Sequence, residues 1–81
     1  MMWKKIEEAD GKSYLYKEFV FKDFIEAFAF MCKVGIIAEK LNHHPEWSNV
    51  YNVVKIKLST HSKGHIVSSK DEQLAAQIDL L

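Results

Sequence analysis

The chain predicts an α+β fold, a four-stranded antiparallel sheet with helices packed on one face, in the order β-β-α-β-β-α. Three observations lead there. Residues 14–21 are rich in aromatic side chains of high strand propensity. Residues 23–41 change to a helical apolar period. Residues 53–60 then alternate, with Val54, Ile56 and Leu58 facing inward against outward Lys55 and Lys57.

Taken in order, residues 3–8 form a short mixed stretch, and Ala9-Asp10-Gly11-Lys12 supplies turn residues before the aromatic run, so the two segments read as a β-hairpin. In the second of them Tyr14, Tyr16 and Glu18 alternate with Leu15, Lys17, Phe19 and Phe21, a pattern broken at Lys17. The helix over residues 23–41 places Phe24, Phe28, Met31 and Ala38 on one stripe and Ile25, Ala29, Cys32 and Ile36 beside it. So wide an apolar face reads equally as one thick core contact or as a face shared between the sheet and a partner subunit.

Pro45 cannot continue a helix and pushes the residue before it toward extended geometry, so the helix ends before His44. Residues 47–51 and 53–60 make a second hairpin. Residues 62–68, with Gly64, read as a loop, and Ser69-Lys70-Asp71-Glu72 fits a capping box opening a last helix with Leu74, Ala75, Ile78 and Leu81 on its apolar face.

Eighty-one residues make one domain, and at this size only roughly 60 to 65 % of the unfolded surface can be buried, a condition that favours oligomers. A single cysteine, Cys32, closes no intrachain disulfide and offers no thiolate metal pair. It lies on an apolar stripe and reads as an inert buried thiol, and a reducing cytoplasmic compartment fits. Eleven basic and eleven acidic residues are interspersed, which argues against a nucleic-acid partner. No apolar leader and no 18-residue apolar run is present, so secretion and membrane spanning are not expected. The glycines stand apart, without a phosphate-cradling loop or a nucleophile elbow.

Chemistry concentrates in histidine. His43, His44 and His61 fall at the ends of elements, where side chains reach into clefts, and His65 lies in the loop just beyond. An imidazole takes and gives protons near neutrality, so two or three around one pocket suit addition or elimination of water. On spacing alone, helix capping by His43 and His44 accounts for them equally well. Zinc held by three histidines is a further reading, but neighbours on an extended chain project to opposite sides, and no H-x-H or H-E-x-x-H spacing occurs, so no metal is expected. Glu39, four positions before His43, either reaches an imidazole or forms an exposed pair with Lys40 or His43.

Glu39-Lys40-Leu41-Asn42-His43-His44-Pro45-Glu46-Trp47 resembles the signature of the pterin-4a-carbinolamine dehydratases. The similarity continues through Asn49-Val50-Tyr51-Asn52, Leu58-Ser59-Thr60-His61, Phe21-Lys22-Asp23-Phe24 and Ala27-Phe28, so it spans nearly the whole chain, as one dehydratase domain over residues 1–81. The resemblance implies the same sheet-and-helix fold, with the family's leading helix absent. It implies dehydration of 4a-hydroxytetrahydrobiopterin to a quinonoid dihydropterin, in support of tetrahydrobiopterin recycling beside an aromatic amino acid hydroxylase, by a homodimer or homotetramer. The pterin is the substrate, and no cofactor is implied.

Carried over by position, His43, His44 and His61 match the family's catalytic histidines. Glu39, Asn42, Trp47, Ser59, Thr60, Ser62 and Asp71 fall at substrate-binding positions. Trp47 serves equally as a pocket wall or as core, Asp71 follows a loop that is one residue longer, and Asn42 stands where many relatives have aspartate. Family relatives in animals also bind a homeodomain transcription factor, so a non-catalytic interaction module with the same fold is the alternative.

Overall fold

In a computed structural model describing residues 2–81, the strands β1 (Lys4–Glu7), β2 (Ser13–Val20), β3 (Glu46–Val50) and β4 (Val53–Leu58) form one antiparallel sheet in the order β1-β2-β4-β3. Helices α1 (Phe24–Leu41) and α2 (Ser69–Asp79) complete the β-β-α-β-β-α order and share a single core with the sheet. The register Leu15↔Leu58, Lys17↔Ile56 and Phe19↔Val54 puts the odd residues of β2 on the face that carries Val54, Ile56 and Leu58. The opposite face, with Tyr14, Tyr16, Lys55 and Lys57, is left uncovered by helices.

The break in alternation at Lys17 has a physical cause. Its stem lies on the core face, and its ammonium stands 4.9 Å from the Phe19 ring centre and 2.9 Å from Asp79 Oδ1 in α2. The same carboxylate oxygen accepts from Trp3 Nε1 at 3.0 Å. Hydrogen bonds to charged groups stabilise by about 1.5 to 3 kcal/mol, enough to hold a lysine where pattern alone asks for an apolar residue. Lysine fits because its stem covers apolar surface while its head reaches a partner.

Helix α1 starts one residue later than its periodicity suggests, because Asp23 is its N-cap, with its carboxylate accepting from Glu26 N at 2.9 Å. Of the expected stripes the buried face keeps Ala38 and half-buried Met31: Ala27, Phe30, Val34 and Ala38 meet the sheet, joined by Met31, Ile37 and Leu41. Phe24, Ile25, Phe28 and Ile36 are 46 to 77 % exposed, and Cys32 is exposed rather than buried. In so apolar a helix several stripes offer the same hydrophobicity.

At its carboxyl end Asn42 adopts the left-handed conformation (φ 50, ψ 43), Asn42 N donates to Glu39 O at 3.1 Å, and His43 N donates to Ala38 O at 3.0 Å. This Schellman closure satisfies orphan carbonyls and fixes the backbone of His43. Asparagine tolerates the left-handed region, which gives Asn42 a local reason. Pro45 then leads straight into β3, and Asn49 Nδ2 ties the two-residue turn between β3 and β4 by donating to Tyr51 O and Val53 O.

The capping box lies one residue earlier than expected. Ser68 is the N-cap of α2, Lys70 N donates to its hydroxyl at 3.3 Å, and Asp71 rather than Glu72 reaches back to Ser68 N at 2.8 Å. Leu74, Ala75 and Ile78 enter the core as expected, but Leu81 lies past the helix and is 50 % exposed. Residues 62–68 are a loop opened by a single 3₁₀ turn, His61–Lys63, and closed by an isolated bridge, Thr60↔Ile66.

Candidate active site

Three chain ends converge at one edge of the molecule: the Asn42-His43-His44 exit of α1, the Ser59-Thr60-His61 exit of β4, and the first turn of α2. Asp71 binds them together. Its side chain is fully buried, and it accepts from His43 Nε2 at 2.6 Å on one oxygen and from Thr60 Oγ1 at 2.7 Å and Ser68 N at 2.8 Å on the other. Buried carboxylate oxygens need such partners, and among the described residues no buried side-chain polar atom lacks one.

The proton directions follow from the donor inventory. Thr60 has one hydroxyl proton, which goes to Asp71, so the 2.6 Å contact between Thr60 Oγ1 and Ser68 Oγ is a donation by Ser68. A carboxylate only accepts, so the matching tautomer has His43 donating from Nε2–H, and this leaves Nδ1 as the ring atom free to accept. The imidazole of His43 is 11 % exposed and is therefore held between a carboxylate and a cleft.

Asn42, His43, His44, Ser59, Thr60, His61, Ser62 and Lys70 line that cleft, of about 300 Å³. All three sequence-predicted histidines thus come to one place. His44, Ser59 and His61 also line an adjoining polar lobe of about 180 Å³, whose far wall includes Glu8, Lys12, Tyr14, Lys57 and His65. Glu39 does reach an imidazole, but that of His44, at 2.8 Å from Nε2, with both side chains largely exposed. Such a pair adds little stability and serves to orient a ring at the cleft mouth.

Of the two places open to Trp47, pocket wall or core, it occupies the core. It is on the inner face of β3 opposite Ile56, packed against the core, and does not line the histidine cleft. Its core role explains it. Sequence reasoning also passed over Lys70 and Ser68. The frame Ser68-Ser69-Lys70-Asp71 was a second capping-box match that would have revealed Ser68, whereas nothing in the pattern marked Lys70. Among the described residues no group of three or more histidine, cysteine or acidic side chains is arranged to hold a metal ion.

Comparison with known proteins shows a likeness to pterin dehydratases. The family model described as "Pterin 4 alpha carbinolamine dehydratase" matches residues 1–81. A Drosophila melanogaster pterin-4-alpha-carbinolamine dehydratase is 47 % identical over 77 residues, which are 95 % of this chain and 38 % of that protein. A crystal structure of a transcriptional coactivator/pterin dehydratase from Brucella melitensis superposes with a TM-score of 0.86 at 42 % identity, over 96 % of this chain and 79 % of that one. A pterin dehydratase-like protein identified as a RuBisCO assembly factor in the alpha-carboxysome superposes at 0.81 with 21 % identity, over 99 % and 88 %, a likeness of fold alone.

Truncation of Asp71 tests the anchor. Asp71→Ala leaves the donors of His43, Thr60 and Ser68 without their acceptor, and is expected to lower unfolding free energy by about 2 to 4 kcal/mol, measured by urea titration. A loss within error of zero would show that the carboxylate does not organise the site.

Proposed function

The chain belongs to the pterin 4 alpha carbinolamine dehydratase family, and from that membership we propose that it is a 4a-hydroxytetrahydrobiopterin dehydratase working by histidine acid/base chemistry. The observation that supports this most is the buried Asp71 gripping His43 in the same cleft as His44 and His61.

Dehydration of a carbinolamine breaks the C4a–oxygen bond and forms a carbon–nitrogen double bond. One group must protonate the departing hydroxyl so that water leaves, and another must take the proton from the ring nitrogen whose electron pair forms the new bond. His43 suits the second task, because the imidazolium that forms on it lies against the Asp71 carboxylate. His44, oriented by Glu39 at the cleft mouth, suits the first and exchanges protons readily with solvent. Each positioned transfer is worth about 10² to 10⁴ in rate. His61 holds the pterin in register for these transfers, so that its orientation acts on the chemical step, and Ser59, Thr60, Ser62 and Asn42 offer further polar groups from the lining of the cleft.

In this reading the mechanism needs no metal or cofactor, since protonation of the leaving hydroxyl and removal of the ring-nitrogen proton are both transfers that imidazoles perform near neutrality. The product returns to the pterin cycle of an aromatic amino acid hydroxylase, and a cytoplasmic setting fits the unpaired thiol of Cys32. Among the described residues no helix is long and apolar enough to cross a membrane. The exposed Phe24, Ile25, Phe28 and Ile36 on α1 support a homodimer or homotetramer formed through that face. The same face supports the alternative, a non-catalytic interaction module.

The rate of 4a-hydroxytetrahydropterin decay decides between enzyme and module. The intact protein accelerates decay with or without a chelator, and His43→Ala and His44→Ala each lose at least about tenfold with unchanged circular dichroism. No acceleration by the intact protein would favour the module, and loss of activity on chelation would contradict the metal-free mechanism. Phe28→Glu is expected to shift the protein to a smaller species in sedimentation. An unchanged sedimentation coefficient would remove the α1 face as the subunit contact.

A further inference from the structure

His65 has no part in the chemistry above, yet its placement is not that of an ordinary loop residue. Its backbone is left-handed, with φ +61, immediately after Gly64 at φ +83. Glycine takes that region at no steric cost, and histidine is among the side chains that enter it more often than most. Both of its peptide groups are committed: His65 N donates to Thr60 O at 3.0 Å, and His65 O accepts from Ser13 N at 3.0 Å. These bonds pin the loop to the end of β4 and the start of β2.

The consequence is a ring contact. The imidazole of His65 lies with its centre 4.3 Å from that of His61, tilted by 57°. At that separation the two rings are in contact, so each limits the rotamers open to the other. Both rings are exposed, and among the described residues His61 has no side-chain hydrogen bond or ion pair to fix it. His43 is steadied by Asp71 and His44 by Glu39, so His61 is the one histidine of the cleft without a carboxylate brace. Its ring also stands at the junction of the two lobes, where a change of rotamer alters the shape offered to a substrate.

We propose that His65 is a positioning residue for His61, its ring bracing the His61 imidazole in the orientation that faces the cleft. The proposal rests on the dehydratase reading for its kinetic consequence, but the bracing itself is a property of the two rings. Misorientation of a group in contact with substrate lowers the rate of the chemical step more than it weakens binding.

The test compares His65→Gly, which suits the left-handed backbone and is expected to fold, with His65→Phe, which keeps an aromatic ring without ionisable nitrogens. The unaltered protein should show nuclear Overhauser contacts between the His61 and His65 rings and a single His61 rotamer. His65→Gly should average the His61 rotamers and lower kcat by about tenfold with KM changed by less than about twofold. His65→Phe should restore most of kcat. A single His61 rotamer retained in His65→Gly, or kcat unchanged in that variant, would overturn the proposal. If the unaltered protein proves inactive, the dehydratase reading fails, and the rotamer measurement still decides the bracing.

Discussion

Asp71 is the constraint on which the site depends. A carboxylate with no exposure to water is tolerated only when its oxygens are matched by donors, and here the donors come from the exit of α1, the end of β4 and the N-terminus of α2. One side chain thereby sets the relative position of three segments that the core holds less directly. The same contacts favour the tautomer of His43 that donates from Nε2. Structural and chemical roles are inseparable at this residue, because the bond that satisfies the buried charge is also the one that orients the proposed base.

Around this anchor the restraints become looser step by step. His43 is nearly enclosed, His44 is held by an exposed carboxylate, and His61 is steadied by a neighbouring ring. Graded restraint of this kind fits a cleft in which the proposed proton acceptor stays fixed while the proposed proton donor exchanges with solvent. The closure at Asn42 contributes on the backbone side, since the left-handed turn that ends α1 aims successive residues His43 and His44 at different partners.

Element order and sheet face were legible in the sequence because they follow from period: Val54, Ile56 and Leu58 alternate cleanly, and Pro45 stops a helix wherever it falls. The inner face of α1 was not, because Phe24, Phe28 and Ile36 are as apolar as Phe30 and Val34, and hydrophobicity alone cannot rank stripes. Cys32 was misplaced for the same reason. Lys17 reads as a flaw in a strand until Asp79, 62 positions away, supplies its partner. In the site, the histidine cluster was legible as residue types at element ends, and resemblance supplied Asp71. The pairing of Glu39 with His44, the retreat of Trp47 into the core and the contact of His65 with His61 depend on side-chain direction at two chain reversals, which spacing does not encode.

The central claim is that the buried Asp71 fixes the protonation geometry of His43. Long-range proton–nitrogen correlation spectra of the His43 ring, recorded at a pH where it is neutral, test this most directly. The account predicts a proton on Nε2 and a bare Nδ1, and loss of that preference in Asp71→Asn. A proton on Nδ1 in the unaltered protein, or a tautomer indifferent to Asp71, would contradict it.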